Sequence, residues 1–213
     1  MQPPPRRGLA AARRRAKLSE QEVSDEDGVA AISYAQNRLV DEQALESFRS
    51  HPDPFLAKMA TFFLEYVRQL RQSNLLDYGE TIGQAVLALR DNVEDRQRWS
   101  SRFKWIFCDE YQDTTPAQAA LLGLVGQNAN ILVVGDTAQA IYEWQGADPD
   151  NLSRFSSDFP GTATFSLSRN YRSFPNLVRT AEYFLRNTGQ LSTTSIKYDE
   201  RRDTEQQKVY ILT

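Results

Sequence analysis

The sequence contains very little cysteine and histidine, the residues on which disulfide frameworks and most zinc sites depend. Cys108 and His51 are the single cysteine and the single histidine among 213 residues. One cysteine excludes an internal disulfide and fits a reducing compartment, and the two side chains together are too few for a zinc site. Long apolar runs are also lacking: no stretch approaches the roughly 20 apolar residues of a membrane-spanning helix, and no signal-peptide core follows the N-terminus. We therefore expect no membrane partner and a cytoplasmic location.

Acidic and basic residues are nearly balanced, 28 against 25, but they are unevenly distributed along the chain. Residues 1–17 carry six basic side chains and no acidic one, together with three consecutive prolines at positions 3–5. This composition predicts a flexible basic arm, which we place at residues 1–28. Such an arm could contact DNA phosphates or act as a transit-like leader. A solvated tail or a misplaced start codon are the simpler interpretations, and we favour them.

Residues 29–100 show apolar positions at helical spacing. A helix that begins after Pro54 places seven apolar side chains on one side, namely Phe55, Met59, Phe62, Phe63, Tyr66, Val67 and Leu70. A second amphipathic helix is predicted over residues 78–89. Packing is the plainest use of such stripes, and we expect an all-helical subdomain in this part of the chain.

From Phe103 onward the pattern changes to short apolar strands that alternate with helices. Strands are predicted at 105–108, 131–134, 162–167 and 208–212, and helices at 115–125, 148–157 and 175–187. The first of these helices has strong start signals, because Thr115 can cap it, Pro116 suits its first turn and Gln118 completes a capping box. This alternation predicts an α/β fold with a mostly parallel sheet.

Two adjacent carboxylates, Asp109 and Glu110, follow the first predicted strand directly. In parallel α/β sheets, ligands bind at the carboxyl ends of the strands. Asp109 could hold a hydrated Mg²⁺ through an oxygen ligand, and Glu110 could orient or deprotonate an attacking water. A solvated acidic pair at a strand end is the alternative, and it would account for these two residues taken alone.

A polar segment follows each of the first three predicted strands: DEYQDT at 109–114, GDTAQAIYEWQGA at 135–147 and NYRS at 170–173. Together they resemble superfamily 1, the UvrD/Rep/PcrA group of ATP-dependent DNA helicases, whose members carry DE-x-QD-T, GD-x-x-Q-SIY-x-(W/F)-RGA and NYRS segments. Upstream, residues 32–37 and 74–78 resemble the helical subdomain that is inserted in the first RecA-like domain of those enzymes. The resemblance therefore extends over most of the chain.

The resemblance implies a role for each of four side chains around ATP. Asp109 would coordinate Mg²⁺ through water, and Glu110 would activate the hydrolytic water. Gln139 would sense the γ-phosphate, although an ordinary polar residue at a helix start is its simpler interpretation. Arg172 would act as an arginine finger on the same phosphate, since its planar fork suits bidentate phosphate contact. A surface ion pair is the simpler interpretation of Arg172.

The resemblance also assigns two aromatic residues of the second polar segment. Tyr142 would pack near the nucleotide or hold the loop. Trp144 would stack on a base of single-stranded DNA, a contact worth ~1–3 kcal/mol per base; without the resemblance, a core tryptophan would be the better interpretation. Two positions depart from the family pattern: Gln145 replaces an arginine near the DNA path, and Gly79 replaces an acidic residue.

One motif that ATP binding requires is missing from these 213 residues. A G-x-x-x-x-G-K-[ST] loop cradles the β- and γ-phosphates, yet none of the ten glycines is followed by lysine. We therefore expect a helicase fragment with a partial RecA-like parallel sheet and an inserted all-helical subdomain. Its predicted parts are the inserted subdomain at 29–100, the latter half of the first motor domain at 101–168, and a hinge with the start of the second motor domain at 169–213.

The expected activity of the complete enzyme is ATP hydrolysis coupled to translocation along single-stranded DNA and to duplex unwinding. We expect this chain to be inactive alone, and a second chain could supply the missing motor parts. Two alternatives remain: a non-catalytic DNA-binding or interaction module derived from such a helicase, and the motor part of a helicase–nuclease.

Overall fold

The computed structural model describes residues 6–142, 146–148, 150–187 and 197–198. The chain forms two compact units, Met1–Ser153 and Arg154–Thr213. The elements of the first unit are, in order, α1 (Arg6–Ala16), α2 (Asp25–Asn37), α3 (Glu42–Phe48), α4 (Pro54–Gln72), α5 (Tyr78–Asp91), α6 (Val93–Ser100), β1 (Trp105–Cys108), α7 (Pro116–Val125) and β2 (Asn130–Val133). Helix α8 (Asn151–Asp158) crosses the boundary, and β3 (Arg169–Asn170), α9 (Pro175–Asn187) and β4 (Lys197–Tyr198) follow. None of the described helices is long and apolar enough to cross a membrane.

Helix α4 is the centre of the hydrophobic core. The Asp53 side chain accepts a hydrogen bond from the backbone N–H of Phe55 at 2.8 Å, and Pro54 occupies the first turn, so the helix starts where local sequence dictates. The predicted stripe is confirmed from Met59 to Leu70, whose apolar members are buried. Phe55 is the exception, because it is half exposed at the start of the helix. Helices α1, α2 and α3 pack against α4.

Helix α1 corrects the prediction of a flexible arm over residues 1–28. The segment Arg6–Ala16 is a helix packed on α4, with Leu9 and Ala12 fully buried. The Arg13 guanidinium donates to the carbonyl of Val23 at 3.2 Å and pairs with Asp25 at 2.6 Å. The dense positive charge concealed an apolar pair three residues apart, which is the spacing of one helix face.

A partly buried polar network joins α2, α4 and α5. Asp77 accepts hydrogen bonds from the Tyr66 hydroxyl at 2.7 Å and from the Gln36 amide at 2.9 Å, and it caps α5 through the backbone N–H of Glu80. Burial, and then the bond to Asp77, raise the pKa of Tyr66. The network also explains Gly79, since a Cβ there would lie 2.2 Å from the Gln36 amide oxygen.

The described part of the chain is mostly helical, and the parallel sheet formed by β1 and β2 has fewer strands than the sequence predicts. Strands β1 and β2 pair in parallel, from Trp105 opposite Asn130 to Cys108 opposite Val133. One face of this pair is exposed, with Phe107 70% accessible. The third predicted strand, 162–167, is wrong: residues 162–168 lie outside helices and strands, and the short β3 follows them and pairs in parallel with β4. The fourth predicted strand, 208–212, lies outside the described residues.

After β1, the predicted helix ranges agree with the structure more closely than the predicted strand ranges do. Helix α7 begins at Pro116 with the complete Thr115–Gln118 capping box, as predicted. Helix α9 matches the predicted range, and α8 begins three residues later than predicted. Helix starts are encoded locally, whereas a strand needs a partner from elsewhere in the chain.

Candidate active site

The carboxyl ends of β1 and β2 lie side by side at one edge of the parallel pair. The backbone N–H of Val134 donates to the carbonyl of Cys108, and the N–H of Tyr111 donates to the carbonyl of Val134, both at 2.9 Å. These bonds bring the Asp109–Glu110 pair next to the turn that begins at Gly135. The edge is therefore lined by side chains from two separate polar segments.

Glu110 has an unusual backbone conformation for a residue with a side chain. Its φ of 52° and ψ of 43° lie in the left-handed region, between the end of β1 and a 3₁₀ turn at Tyr111–Asp113. Such a conformation costs on the order of 1–3 kcal/mol and occurs preferentially at active sites. Asp109 supports the turn, because its Oδ1 accepts a hydrogen bond from the Glu110 N–H at 3.0 Å. Both carboxylates are exposed.

Gln112 connects the two strand ends, and the sequence predicted no role for it. Its side chain is buried, with 1% of the residue exposed. The amide nitrogen donates to Glu110 Oε2 at 2.7 Å, and the amide oxygen accepts from the backbone N–H of Asp136 at 3.0 Å. Gln112 lies inside the first polar segment, so the sequence could have marked it as a candidate site residue. Its contacts with both strand ends, however, are seen only in the structure.

The turn after β2 is organised by Asp136. One oxygen of its carboxylate caps the 3₁₀ turn Thr137–Gln139 by accepting from the N–H of Ala138 at 3.0 Å. The other oxygen accepts from Gln139 Nε2 at 2.8 Å. Glu110, Gln112, Asp136 and Gln139 consequently form one continuous chain of hydrogen bonds. The structure thus brings two of the predicted site residues, Glu110 and Gln139, into one network.

Asp113 lies beside this network in an unfavourable environment for a charge. Burial, and then the negative charge of Glu110, raise its pKa above the ordinary value for an aspartate. Its Oδ1 is buried without a hydrogen-bond partner in the described part of the chain. Its Oδ2 receives only a long contact of 3.5 Å from Gln112. The ionised form of Asp113 is therefore disfavoured by its surroundings at this edge.

An exposed carboxylate at this edge is the kind of ligand that hydrated Mg²⁺ accepts. Among the described residues, no group of three or more histidine, cysteine, aspartate or glutamate side chains could hold a metal ion. Mg²⁺ commonly keeps several waters and uses one or two carboxylates together with substrate phosphates. Asp109 is exposed and offers the carboxylate that such a hydrated ion requires.

Arg172 belongs to the second unit, where Asn170 shapes the turn that carries it. The Asn170 Oδ1 accepts hydrogen bonds from the backbone N–H groups of Arg172 and Ser173, both at 2.9 Å. This Asx-type turn leaves Arg172 exposed. Asn170 is a second residue whose positioning role the sequence did not predict.

Only one of the two predicted aromatic residues lies in the described part of the chain, and its predicted role is untested. Tyr142 belongs to the first unit, is 40% exposed, and its carbonyl accepts a hydrogen bond from the N–H of Ala147 at 3.3 Å. That bond closes the loop after the Asp136 turn. Trp144 and Gln145 lie outside the described residues, so the stacking role of Trp144 stays a prediction.

Comparison with known proteins decides the family. The model of the UvrD/REP helicase N-terminal domain matches residues 7–160. This chain belongs to the UvrD/Rep helicase family. The family resemblance is thereby confirmed; the polar segments at 109–114 and 135–147 lie within the matched residues, and the segment at 170–173 lies beyond them. The N-terminal domain of that family is RecA-like.

Individual relatives agree with the family match. The ATP-dependent DNA helicase UvrD1 of Mycobacterium tuberculosis is 38% identical over 169 residues, which is 75% of this chain and 22% of that protein. UvrD1 of Mycobacterium leprae is 37% identical over 163 residues, 71% of this chain and 21% of that protein. The ATP-dependent DNA helicase Rep of Escherichia coli is 40% identical over 123 residues, 57% of this chain and 18% of that protein. The chain thus spans about a fifth of the length of these relatives.

Proposed function

We propose that this chain carries the water-activating part of an ATP-driven DNA helicase motor. The observation that supports this most directly is the hydrogen-bonded chain from Glu110 to Gln139 at the carboxyl ends of two parallel strands. Ligands bind at that edge in α/β proteins. The substrate is ATP, and the work is translocation along single-stranded DNA with unwinding of the duplex.

Each side chain then has a defined task in hydrolysis. The Glu110 carboxylate, held on one oxygen by Gln112, orients the attacking water and accepts its proton. Asp109 would hold a hydrated Mg²⁺, and that ion would neutralise charge on the phosphates. The Gln139 amide can exchange its bond to Asp136 for one to the γ-phosphate. Arg172 stabilises charge on the transferred group, an effect of about 10³–10⁵ in other phosphoryl-transfer enzymes.

DNA contact is assigned to the segment after the Asp136 turn. Trp144 stacks on a base, with Tyr142 packing near the nucleotide or closing the loop that leads there. The proposed coupling of hydrolysis to movement is supported by the short distance in sequence between Gln139 and Trp144, which belong to the same polar segment.

The chain alone is expected to hydrolyse ATP negligibly. Phosphate binding in such motors relies on backbone N–H groups and a lysine in G-x-x-x-x-G-K-[ST], and no glycine in these 213 residues precedes a lysine. The cradle must come from residues outside this sequence, in the same polypeptide or in a second chain. A DNA-stimulated turnover by the 213-residue chain that Glu110→Gln abolishes would contradict this expectation.

A chimera tests the catalytic proposal directly. Residues 7–160 replace the matching segment of Escherichia coli Rep, and DNA-stimulated phosphate release is measured. Glu110→Gln should lower kcat by about 10²–10⁴, the usual contribution of a general base. Glu94→Gln, on the exposed start of α6, is the matched control and should leave the rate unchanged. Equal rates for Glu110→Gln and the unmodified chimera would overturn the assignment.

The missing lysine loop favours one second candidate, a non-catalytic DNA-binding or interaction module derived from a helicase. This candidate predicts that the chain alone binds single-stranded DNA and that Glu110→Gln has no consequence in any context. Fluorescence anisotropy with an oligonucleotide, together with the chimera, separates the two functions.

A further inference from the structure

Gln112 has a side chain whose orientation is fixed by its two partners. The Glu110 carboxylate can only accept a hydrogen bond, and the Asp136 backbone N–H can only donate one. The amide therefore places its nitrogen on Glu110 and its oxygen on Asp136, at 2.7 Å and 3.0 Å. A flipped amide would bring oxygen against oxygen and N–H against N–H. Because the side chain is buried, water cannot easily replace either bond.

The space that Gln112 occupies depends on the glycine of the second polar segment. A Cβ at Gly135 would lie 2.7 Å from the Gln112 amide oxygen and 3.3 Å from its backbone nitrogen. No real Cβ tolerates the first distance without displacement of the amide. The two polar segments thus fit closely at this point, because the Gln112 side chain occupies the space that a side chain at position 135 would need.

We propose that Gln112 is a positioning residue that couples the Glu110 carboxylate to the turn carrying Gln139. The coupling passes through Asp136, whose N–H bonds Gln112 and whose carboxylate bonds Gln139 at 2.8 Å. A change at Gln139 on phosphate contact thereby reaches the group that orients the water, and a change at Glu110 reaches Gln139. The catalytic meaning of this coupling rests on the proposed function; the coupling itself is a property of this chain.

Two substitutions at Gln112 remove its hydrogen bonds with side chains of different shape. Gln112→Met keeps the length of the side chain and removes both hydrogen bonds. Gln112→Leu also removes both hydrogen bonds, with a shorter, branched side chain that packs differently in the same space. Gln118→Met is the matched control, because Gln118 makes a comparable 2.9 Å bond to the Thr115 N–H outside the network.

The test uses the full 213-residue chain and nuclear magnetic resonance of its amides, without nucleotide. Glu110→Gln should shift the Asp136 backbone amide and the Gln139 side-chain amide, because a neutral partner polarises Gln112 less than a carboxylate does. In a Gln112→Met background the same Glu110→Gln change should leave both resonances in place. Hydrogen exchange at the Asp136 amide should be about 5- to 10-fold faster in Gln112→Met, as expected for one lost hydrogen bond.

The variants make the outcome decisive. Gln118→Met should alter neither the Asp136 exchange rate nor its response to Glu110→Gln. Gln112→Leu should show the same faster exchange and the same lost response, so it tests the coupling even if Gln112→Met does not fold. A response of Asp136 to Glu110→Gln that persists in both Gln112 variants would overturn the proposal.

This result is independent of the catalytic assignment. If the coupling is present and the Rep chimera shows no dependence on Glu110, the proposed function fails and the coupling stands. If the chimera depends on Glu110 and the amides show no coupling, the positioning role of Gln112 fails alone.

Discussion

The burial of Leu9 allows a sharp test of helix α1, the element in which sequence and structure disagree most. If residues 6–16 formed a flexible arm, Leu9→Ala would have no effect on stability. In the structure Leu9 is 1% exposed and belongs to the same core cluster as the α4 stripe. Leucine-to-alanine changes in protein cores cost about 2–5 kcal/mol, the sum of lost transfer free energy and the cavity that remains.

The expected loss lies at the lower end of that range. Helix α1 is a short element of 11 residues, and such an element can detach locally without unfolding the rest of the core. The cost of Leu9→Ala cannot exceed the free energy that holds α1 on α4, because beyond that point the helix separates locally. We therefore expect about 2–3 kcal/mol, which corresponds to a decrease in Tm of about 4–12 °C for a chain of this size.

The assay is urea unfolding followed by far-ultraviolet circular dichroism. Arg14→Ala is the matched control, because Arg14 lies on the exposed side of the same helix and surface changes stay within about 0.5 kcal/mol. Partial detachment of α1 would appear as lost helical signal before the main transition. A Leu9→Ala variant that is as stable as Arg14→Ala would refute the packing of α1 and restore the flexible arm.

Two further predictions concern the polar networks. Gly79→Ala should destabilise the chain by about 1–3 kcal/mol in urea unfolding, because the new Cβ displaces the Gln36 amide from its partner. Gly83→Ala on the same helix is the control; its Cβ meets only a methyl group at 3.9 Å, so it should stabilise by about 0.5–1 kcal/mol, and equal effects of the two changes would disprove this explanation. Asp113→Asn should stabilise the chain at neutral pH. Because the pKa of Asp113 is raised in the folded chain, the unfolded state ionises first, and the wild type loses stability as pH rises through that window. The advantage of Asp113→Asn should therefore vanish in acid, and an advantage that is constant with pH would contradict it.

How far the sequence predicts the fold depends on whether the deciding interactions are local. Helix α7 was predicted to within a residue, because Thr115, Pro116 and Gln118 fix its start by themselves. The alternating run at 162–167 has the composition of a strand, yet its apolar side chains Phe165 and Leu167 are almost fully exposed. A strand requires a neighbour at the right place, and composition cannot supply one.

The sequence singles out individual residues of the candidate site but does not show how they are connected. Glu110 and Gln139 could be identified because they lie in polar segments that follow strands and resemble a known family. Gln112 and Asp136 were in the same segments, and their joint role depends on the register of β1 against β2, which places Cys108 opposite Val133. Contacts of this kind arise only after the two strands have paired.

The energetics of the Glu110 turn indicate why several groups must act together there. A left-handed backbone at a residue with a side chain costs about 1–3 kcal/mol, whereas one net hydrogen bond contributes about 0.5–1.5 kcal/mol. The Gln112 amide alone therefore does not offset the strain. The bond from the Tyr111 N–H to Val134, the contact of Asp109 with the Glu110 N–H and the complete burial of Tyr111 supply the remainder. Glycine at position 110 would remove the strain at once, but it would also remove the carboxylate. Three neighbouring residues support a strained glutamate where glycine would be free of strain, and this supports the proposal that the Glu110 carboxylate has a chemical role.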